Sequence, residues 1–173
     1  MGLTQDLGLT TPRPNGLQRA VQRIGSTDLG TAVFSRLIGP LDKAVHRITK
    51  GRVTFSRSLA AFPVVMLTTI GARTGAARTV PVNVIPYGDD LALVASNFGR
   101  GKLPGWAHNL MANPDATVSV AGKSRSVEAQ LVGADQAESV FAAAVRVYPG
   151  YARYRAKAAS VIPVFILIPG GQT

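Results

Sequence analysis

The sequence predicts a small antiparallel β-barrel with helices added around it, a mainly β protein with flanking helices (α+β). Two observations predict it. Six short runs rich in Val, Ile, Leu and Thr lie between residues 62 and 168, each bounded by Gly, Asp or Pro. Consecutive runs are joined largely by hairpin-sized turns, and helical patterns are inserted at the ends, as in small barrels.

The first strand is expected over Phe62 to Thr69, where the rhythm of the chain changes from helical to extended. Arg78 to Tyr87 and Leu91 to Ser96 follow, with Gly88-Asp89-Asp90 as the turn of an antiparallel hairpin. Pro104 to Met111 reads as a short helix that stops before Pro114, because the residue preceding proline is pushed out of the helical region. Ala116 to Val120 and Ser124 to Val132 form a second hairpin through Gly122-Lys123. Asp135 to Tyr154 is helical with a break at Pro149-Gly150, and Val161 to Ile168 is a last strand, apolar enough to be buried.

Ahead of the barrel, residues 1–25 read as a flexible leader. Met1 to Gly16 is rich in Thr, Pro and Gly and lacks the basic-then-apolar order of a signal peptide. Residues 26–173 read as a single barrel domain whose first part, 26–50, is an amphipathic helical segment. Ser26, Thr27 and Asp28 offer N-caps, and Leu29, Val33, Leu37, Leu41, Val45 and Ile48 recur at helical spacing. Gly39-Pro40 splits it in two, since proline lacks the N–H that the helix needs there. Arg36, Lys43, His46, Arg47 and Lys50 line its polar face.

A chain of 173 residues fits one domain. Its net charge of +10 favours anionic ligands, polyanions or an anionic membrane surface. The absence of cysteine excludes disulfides, thiolate metal sites and a cysteine nucleophile. No window approaches the 18 apolar residues of a spanning helix. The expected location is cytoplasmic, with residues 26–50 as a peripheral contact to the inner face of an anionic membrane. Those helices covering the barrel is an equal reading. Nucleic-acid binding is disfavoured, because the basic residues match no recognition module.

The charge has a local pattern. No carboxylate occurs between Asp42 and Asp89, whereas Lys43, Arg47, Lys50, Arg52, Arg57, Arg73 and Arg78 all fall in that interval. Gly71-Ala72-Arg73-Thr74-Gly75 lies between two strands, and Asn97-Phe98-Gly99-Arg100-Gly101-Lys102 forms a second basic, glycine-bearing loop. Glycines let backbone N–H groups approach a phosphate, so an anionic pocket is expected. Neither loop has a Rossmann or P-loop glycine pattern. His46 and His108 are far apart with no supporting cluster, so no metal site is expected, and Ser96 lacks the Gly-x-Ser-x-Gly elbow of a hydrolase. Trp106 reads either as core or as a lid over a flat ring. Tyr148, Tyr151 and Tyr154 recur every three residues, which suits helix packing or a substrate-facing row.

At these residues the chain resembles the deazaflavin-dependent nitroreductase and quinone reductase family. Its members use reduced coenzyme F420 on a split β-barrel like that of FMN-binding pyridoxamine-phosphate oxidases. The family pattern is approximately Thr-Thr-x-Gly-Arg-Lys-[Ser/Thr]-Gly, Arg-x-x-Pro-Leu, Ala-Ser-[Lys/Asn]-Gly-Gly, then Pro-x-Trp-x-x-Asn-Leu and Asn-Pro. Gly71, Thr74, Gly75, Arg78, Pro81, Ala95, Ser96, Gly99, Trp106, Asn109, Leu110, Asn113 and Pro114 match it, over about residues 60 to 168. Ala72-Arg73, Val82-Asn83 and Phe98 depart from it, at positions where the family often has Arg-Lys, Leu-Tyr and Gly.

The resemblance implies coenzyme F420 as cofactor, with FMN as the alternative. It also implies hydride transfer to a quinone such as menaquinone, a nitroaromatic or a similar electrophile. A non-catalytic carrier of F420 or a flavin is the second reading. Ala72, Arg73, Thr74 and Arg78 are then expected at the cofactor's phosphate and tail, with Lys50 and Arg52 as helpers. The strand Thr79, Val80, Pro81, Val82 and Asn83 and the strand end Val94, Ala95, Ser96 and Asn97 line the ring. Gly105, Trp106, Ala107, His108 and Asn109 bound its other side, and Tyr151 reaches it. Ser96, Tyr148, Tyr151 and Tyr154 are the candidates for orienting the acceptor or donating a proton.

Overall fold

The structure, a computed structural model, describes residues 2–9, 15, 16, 18–20, 27, 63–158 and 160–171. The helices expected over 26–50, and with them Lys50 and Arg52, lie outside the described residues.

Strand β1 (Val64–Ile70) forms a hairpin with β2 (Ala77–Asn83) and pairs on its other side with β5 (Asp115–Val120). β5 continues into β6 (Lys123–Leu131), and β6 pairs with β7 (Val164–Pro169). β7 in turn pairs with β4 (Asp90–Val94), which forms a hairpin with β3 (Ile85–Tyr87). Every pairing is antiparallel, and the order is β2-β1-β5-β6-β7-β4-β3.

That order forces the sheet to curl. β2 and β3 are its two outer strands, yet Val84 alone separates them in sequence. The two edges therefore come together at that corner, giving a half-barrel. The sequence reading took 78–87 as one strand and counted six. The described residues form seven, because the chain turns at Val84, a fully buried residue whose N–H is donated to Pro63 O at 2.8 Å.

Side-chain alternation divides the sheet into two apolar clusters. Val65 and Leu67 of β1, Leu91 and Leu93 of β4, and Phe165 and Leu167 of β7 fill the inside of the curl. Their neighbours Val64, Ala92, Val94, Val164 and Ile166 face outward, under two helices. These are α3 (Ala134–Val147), which contributes Val140, Phe141 and Ala144, and α4 (Gly150–Lys157), which contributes Tyr151 and Tyr154. The break expected at Pro149-Gly150 separates them. Tyr148 is extended there, and its ring lies so close to Gly150 that an added Cβ would meet Tyr148 Cε1 at 2.2 Å.

Within the segment expected as a leader, residues 2–9 pack against the barrel. Helix α1 (Leu3–Asp6) sits at the end of the curl that carries the β3–β4 and β5–β6 turns. Leu3, Leu7 and Leu9 are buried in the inner cluster. Thr4 N–H is donated to Asp89 O at 3.1 Å, and Asp6 pairs with Arg125 at 3.2 Å. Lys123 Nζ caps Asp6 O at 3.1 Å. Burial of three leucines is what a loose leader would forgo, and it closes this end of the barrel.

Candidate functional site

The strand registers gather the chemistry-bearing loops at the opposite end. Ile70 opposite Ala77, Thr69 opposite Ala116 and Val94 opposite Val164 place three features together there: the β1–β2 turn, the exit of β4 and the entry of β5. Helix α2 (Gly105–Ala112), lying between the last two, is anchored by burying Ala107 and Leu110 in the inner cluster.

The β1–β2 turn is held mostly by its own backbone. Gly71 N–H is donated to Ala76 O at 2.9 Å, and the N–H groups of Thr74 and Gly75 reach Gly71 O at 3.1 and 2.8 Å. Thr74 Oγ1 accepts from Ala76 N–H at 3.3 Å. Ala72 N–H is donated to Asn109 Oδ1 at 3.0 Å, while Asn109 Nδ2 donates to Thr69 Oγ1 at 2.9 Å. The N–H groups of Gly71, Ala72, Thr74, Gly75 and Ala76 are therefore engaged inside the protein. What the turn offers an anion is side-chain charge. Arg73 and Arg78 are both exposed, and neither guanidinium has a hydrogen-bond or ion-pair partner among the described residues.

β2 distributes the other expected contacts over two faces. Val82 is buried in the inner cluster and Val80 packs against it, so both side chains serve the core. Thr79, Pro81 and Asn83 alternate to the outer face. Thr79 shares a hydroxyl–hydroxyl hydrogen bond of 2.9 Å with Thr68. Asn83 hydrogen-bonds the Tyr151 hydroxyl. As an outer strand of the sheet, β2 has one backbone edge without a paired strand among the described residues.

Beyond β4 the backbone takes an uncommon path. Val94 and Ala95 are buried, in the outer and inner clusters respectively, and Ser96 is half-buried. Asn97, Phe98 and Gly99 then follow with φ of 45°, 58° and 71°. Two consecutive non-glycine residues in the left-handed region are costly, and such strain gathers at functional sites. Two contacts hold them: Asn97 Nδ2 donates to Lys102 O at 2.9 Å, and the Phe98 ring meets Tyr154 edge-on at 6.3 Å. Gly99 packs on Tyr154, where a Cβ would lie 3.2 Å from Tyr154 Cδ1.

The three tyrosines form a buried cluster. Tyr148, Tyr151 and Tyr154 meet with ring centroids 5.8 to 6.1 Å apart. Burial, reinforced by the adjoining Tyr154, pushes the Tyr148 and Tyr151 phenols far above the usual tyrosine range. Both stay neutral at any physiological pH, able to donate a hydrogen bond and unable to act as bases. On α2, Trp106 is half-buried and packs edge-on against Phe165 at 6.0 Å, so its ring is engaged with the core. Gly105 and His108 are exposed.

Sequence reasoning brought most of these residues to one end of the barrel and missed Thr69. This residue is only 1% exposed and receives the Asn109 amide. Its type gave one signal: a threonine on the inward side of an apolar strand needs a partner.

Comparison with known proteins sharpens this geometry. The family model described as F420H(2)-dependent quinone reductase matches residues 41–169. An F420H(2)-dependent quinone reductase of Mycobacterium tuberculosis is 40% identical over 92 residues, which are 53% of this chain and 61% of that protein. The chain thus spans under two thirds of that relative's length. A solved F420-H2 dependent reductase, FDR-A, superposes with a TM-score of 0.56 at 37% identity, covering 61% of this chain and 93% of its own. Another solved structure, described as a domain-swapped dimer, superposes with a TM-score of 0.58 at 33% identity, covering 72% of this chain and 94% of its own. These neighbours share the split-barrel architecture seen here. With a family model matching residues 41–169, the chain belongs to the F420H(2)-dependent quinone reductase family.

Proposed function

We propose that this chain is an oxidoreductase that binds reduced coenzyme F420 at the mouth formed by the β1–β2 turn, the 96–102 loop and α2, and reduces a quinone. The observation that carries the reading is the pair Arg73 and Arg78, charged, exposed and without partners among the described residues. F420 bears a phosphodiester and an oligoglutamate tail, and guanidinium groups suit both. The residues present therefore fit the cofactor. When bound, F420 supplies a hydride from C5 of its ring; the protein supplies orientation and electrostatics.

In this reading Arg73, Thr74 and Arg78 hold the phosphate and tail. The outer backbone edge of β2, together with Ser96 and Asn97, borders the ring, and Gly105 to His108 flank it. Ser96 and the tyrosine cluster orient the acceptor; of the tyrosines, Tyr151 acts through Asn83. The neutral phenols can donate a hydrogen bond to the acceptor but not withdraw a proton from it. The acceptor class is quinones first, menaquinone among them, and flat nitroaromatics second. A cytoplasmic location, with residues 26–50 resting on the inner face of the membrane, would bring the mouth to a lipid-dissolved quinone. The basic residues Lys43, Arg47 and Lys50 support that placement.

The test is titration with F420 and separately with FMN, then steady-state oxidation of reduced F420 by menadione. Binding of F420 with turnover is expected. Tight FMN binding without F420 binding would overturn the cofactor, and F420 binding without turnover would make the protein a carrier.

A further inference from the structure

We infer that Asn109 is a positioning residue for the anion-binding turn rather than a contact to the ligand, an inference that rests on the proposed F420 site. Its side-chain amide is engaged at both ends: Oδ1 accepts from Ala72 N–H at 3.0 Å, and Nδ2 donates to Thr69 Oγ1 at 2.9 Å. Ala72 is the first residue of the turn after Gly71 and directly precedes Arg73. The turn's remaining hydrogen bonds are internal, joining Gly71, Thr74, Gly75 and Ala76 to one another. Those bonds shape the turn without setting its direction relative to the barrel. The Asn109 amide sets that direction.

The anchor is rigid on both sides. Thr69 lies in β1, buried and paired across the sheet with Arg78 on β2 and Ala116 on β5. Asn109 stands on α2 between Ala107 and Leu110, both buried in the inner cluster. One side chain thus ties a helix, a strand and a turn together. Arg73 is displaced directly if the tie is cut. Arg78 is displaced less, because the β1–β2 ladder holds its backbone independently. Because α2 begins at Gly105, just after the 96–102 loop, the same amide keeps the two loops of the mouth in register.

Thr69 makes the inference testable, since a residue 1% exposed cannot touch F420. Thr69→Val keeps the shape of the side chain and removes the hydroxyl; Thr69→Ser restores it. The expected result with reduced F420 is a five- to tenfold rise in Kd and KM for both Asn109→Ala and Thr69→Val, with kcat within twofold of the unmodified chain. The double variant should be no weaker than the worse single one, and Thr69→Ser should return the affinity. Amide exchange at Ala72, read without ligand, should accelerate in Asn109→Ala, showing that the bond was cut in a folded protein. Weaker binding in Asn109→Ala with unchanged binding in Thr69→Val would make Asn109 a direct ligand and overturn the inference alone. Unchanged affinity in both variants, with faster Ala72 exchange, would overturn it as well. Failure of the unmodified chain to bind F420 would overturn the functional reading first and this inference with it.

Discussion

The Tyr151 side chain hydrogen-bonds that of Asn83, joining α4 to the last residue of β2 beside the Val84 corner. This link ties the outer helices to the strand whose outer edge borders the proposed ring site. Tyr151→Phe deletes the bond and keeps the ring, so a loss of about 0.5–1.5 kcal/mol is expected. Urea unfolding of Tyr151→Phe, Asn83→Ala and the double variant reads it. Strictly additive losses would show that the two side chains are not coupled.

Arg78→Ala should weaken F420 binding by about 1.5–3 kcal/mol, the range for a hydrogen bond to a charged group. The fold should be untouched, because the side chain is exposed and unpartnered among the described residues. Fluorescence titration at two salt concentrations checks it. An affinity equal to that of the unmodified chain would remove Arg78 from the site.

Phe98 offers a test of sign. At an ordinary position glycine is less stabilising than alanine. With φ at 58°, the order should reverse. Phe98→Ala loses the edge-on contact with Tyr154 and keeps the backbone strain, whereas Phe98→Gly loses the contact and releases about 1–2 kcal/mol of strain. The glycine variant is therefore expected to melt at the higher temperature of the two.

Stability should fall at alkaline pH. The Tyr148 and Tyr151 phenols are raised in the folded state, chiefly by burial. Their contribution is complete below the unfolded value of about 10 and is lost as pH rises above it, where the unfolded chain gives up its protons first. Tyr148→Phe should flatten the slope of unfolding free energy against pH above about 10, at the cost of some stability near neutrality. An unchanged slope would mean the phenol already ionises freely in the fold.

Leu3→Ala tests the closure of the barrel's far end. Truncating a leucine this buried typically costs about 2–5 kcal/mol. A change near zero in urea unfolding would return residues 2–9 to the status of a loose leader.

Where sequence and structure agree, a local cause is visible. Gly88-Asp89 and Gly122-Lys123 marked hairpins because positive φ suits glycine, and both glycines have it. Pro149-Gly150 marked the helix break for another local reason: the residue before proline is pushed out of the helical region, and Tyr148 is extended. Val84 could not be seen: it sits in the strand-like run Val82-Asn83-Val84-Ile85, which holds no glycine or proline, and only closure of a long-range sheet makes the chain turn there. At the candidate site, arginine and glycine spacing singled out loops that the strand registers bring to one end of the barrel. What spacing does not encode is whether a donor is already spent. Ala72 N–H, Asn109 and Tyr151 are each engaged by a residue distant in sequence.

The place of β7 bears on how the protein is made. It comes after every other described strand, yet it sits inside the sheet with β6 on one side and β4 on the other. On the ribosome, β1, β2, β5 and β6 can assemble as soon as residue 131 has emerged, and β3 with β4 can fold as a lone hairpin. Neither group has a backbone ladder to the other until residues 164–169 arrive between them. Throughout that interval β6 and β4 each present a bare edge, the feature that seeds aggregation of nascent chains. Closure thus waits for the last of the described strands, and substitutions in β7 should lower soluble yield more than their cost to the finished fold would suggest.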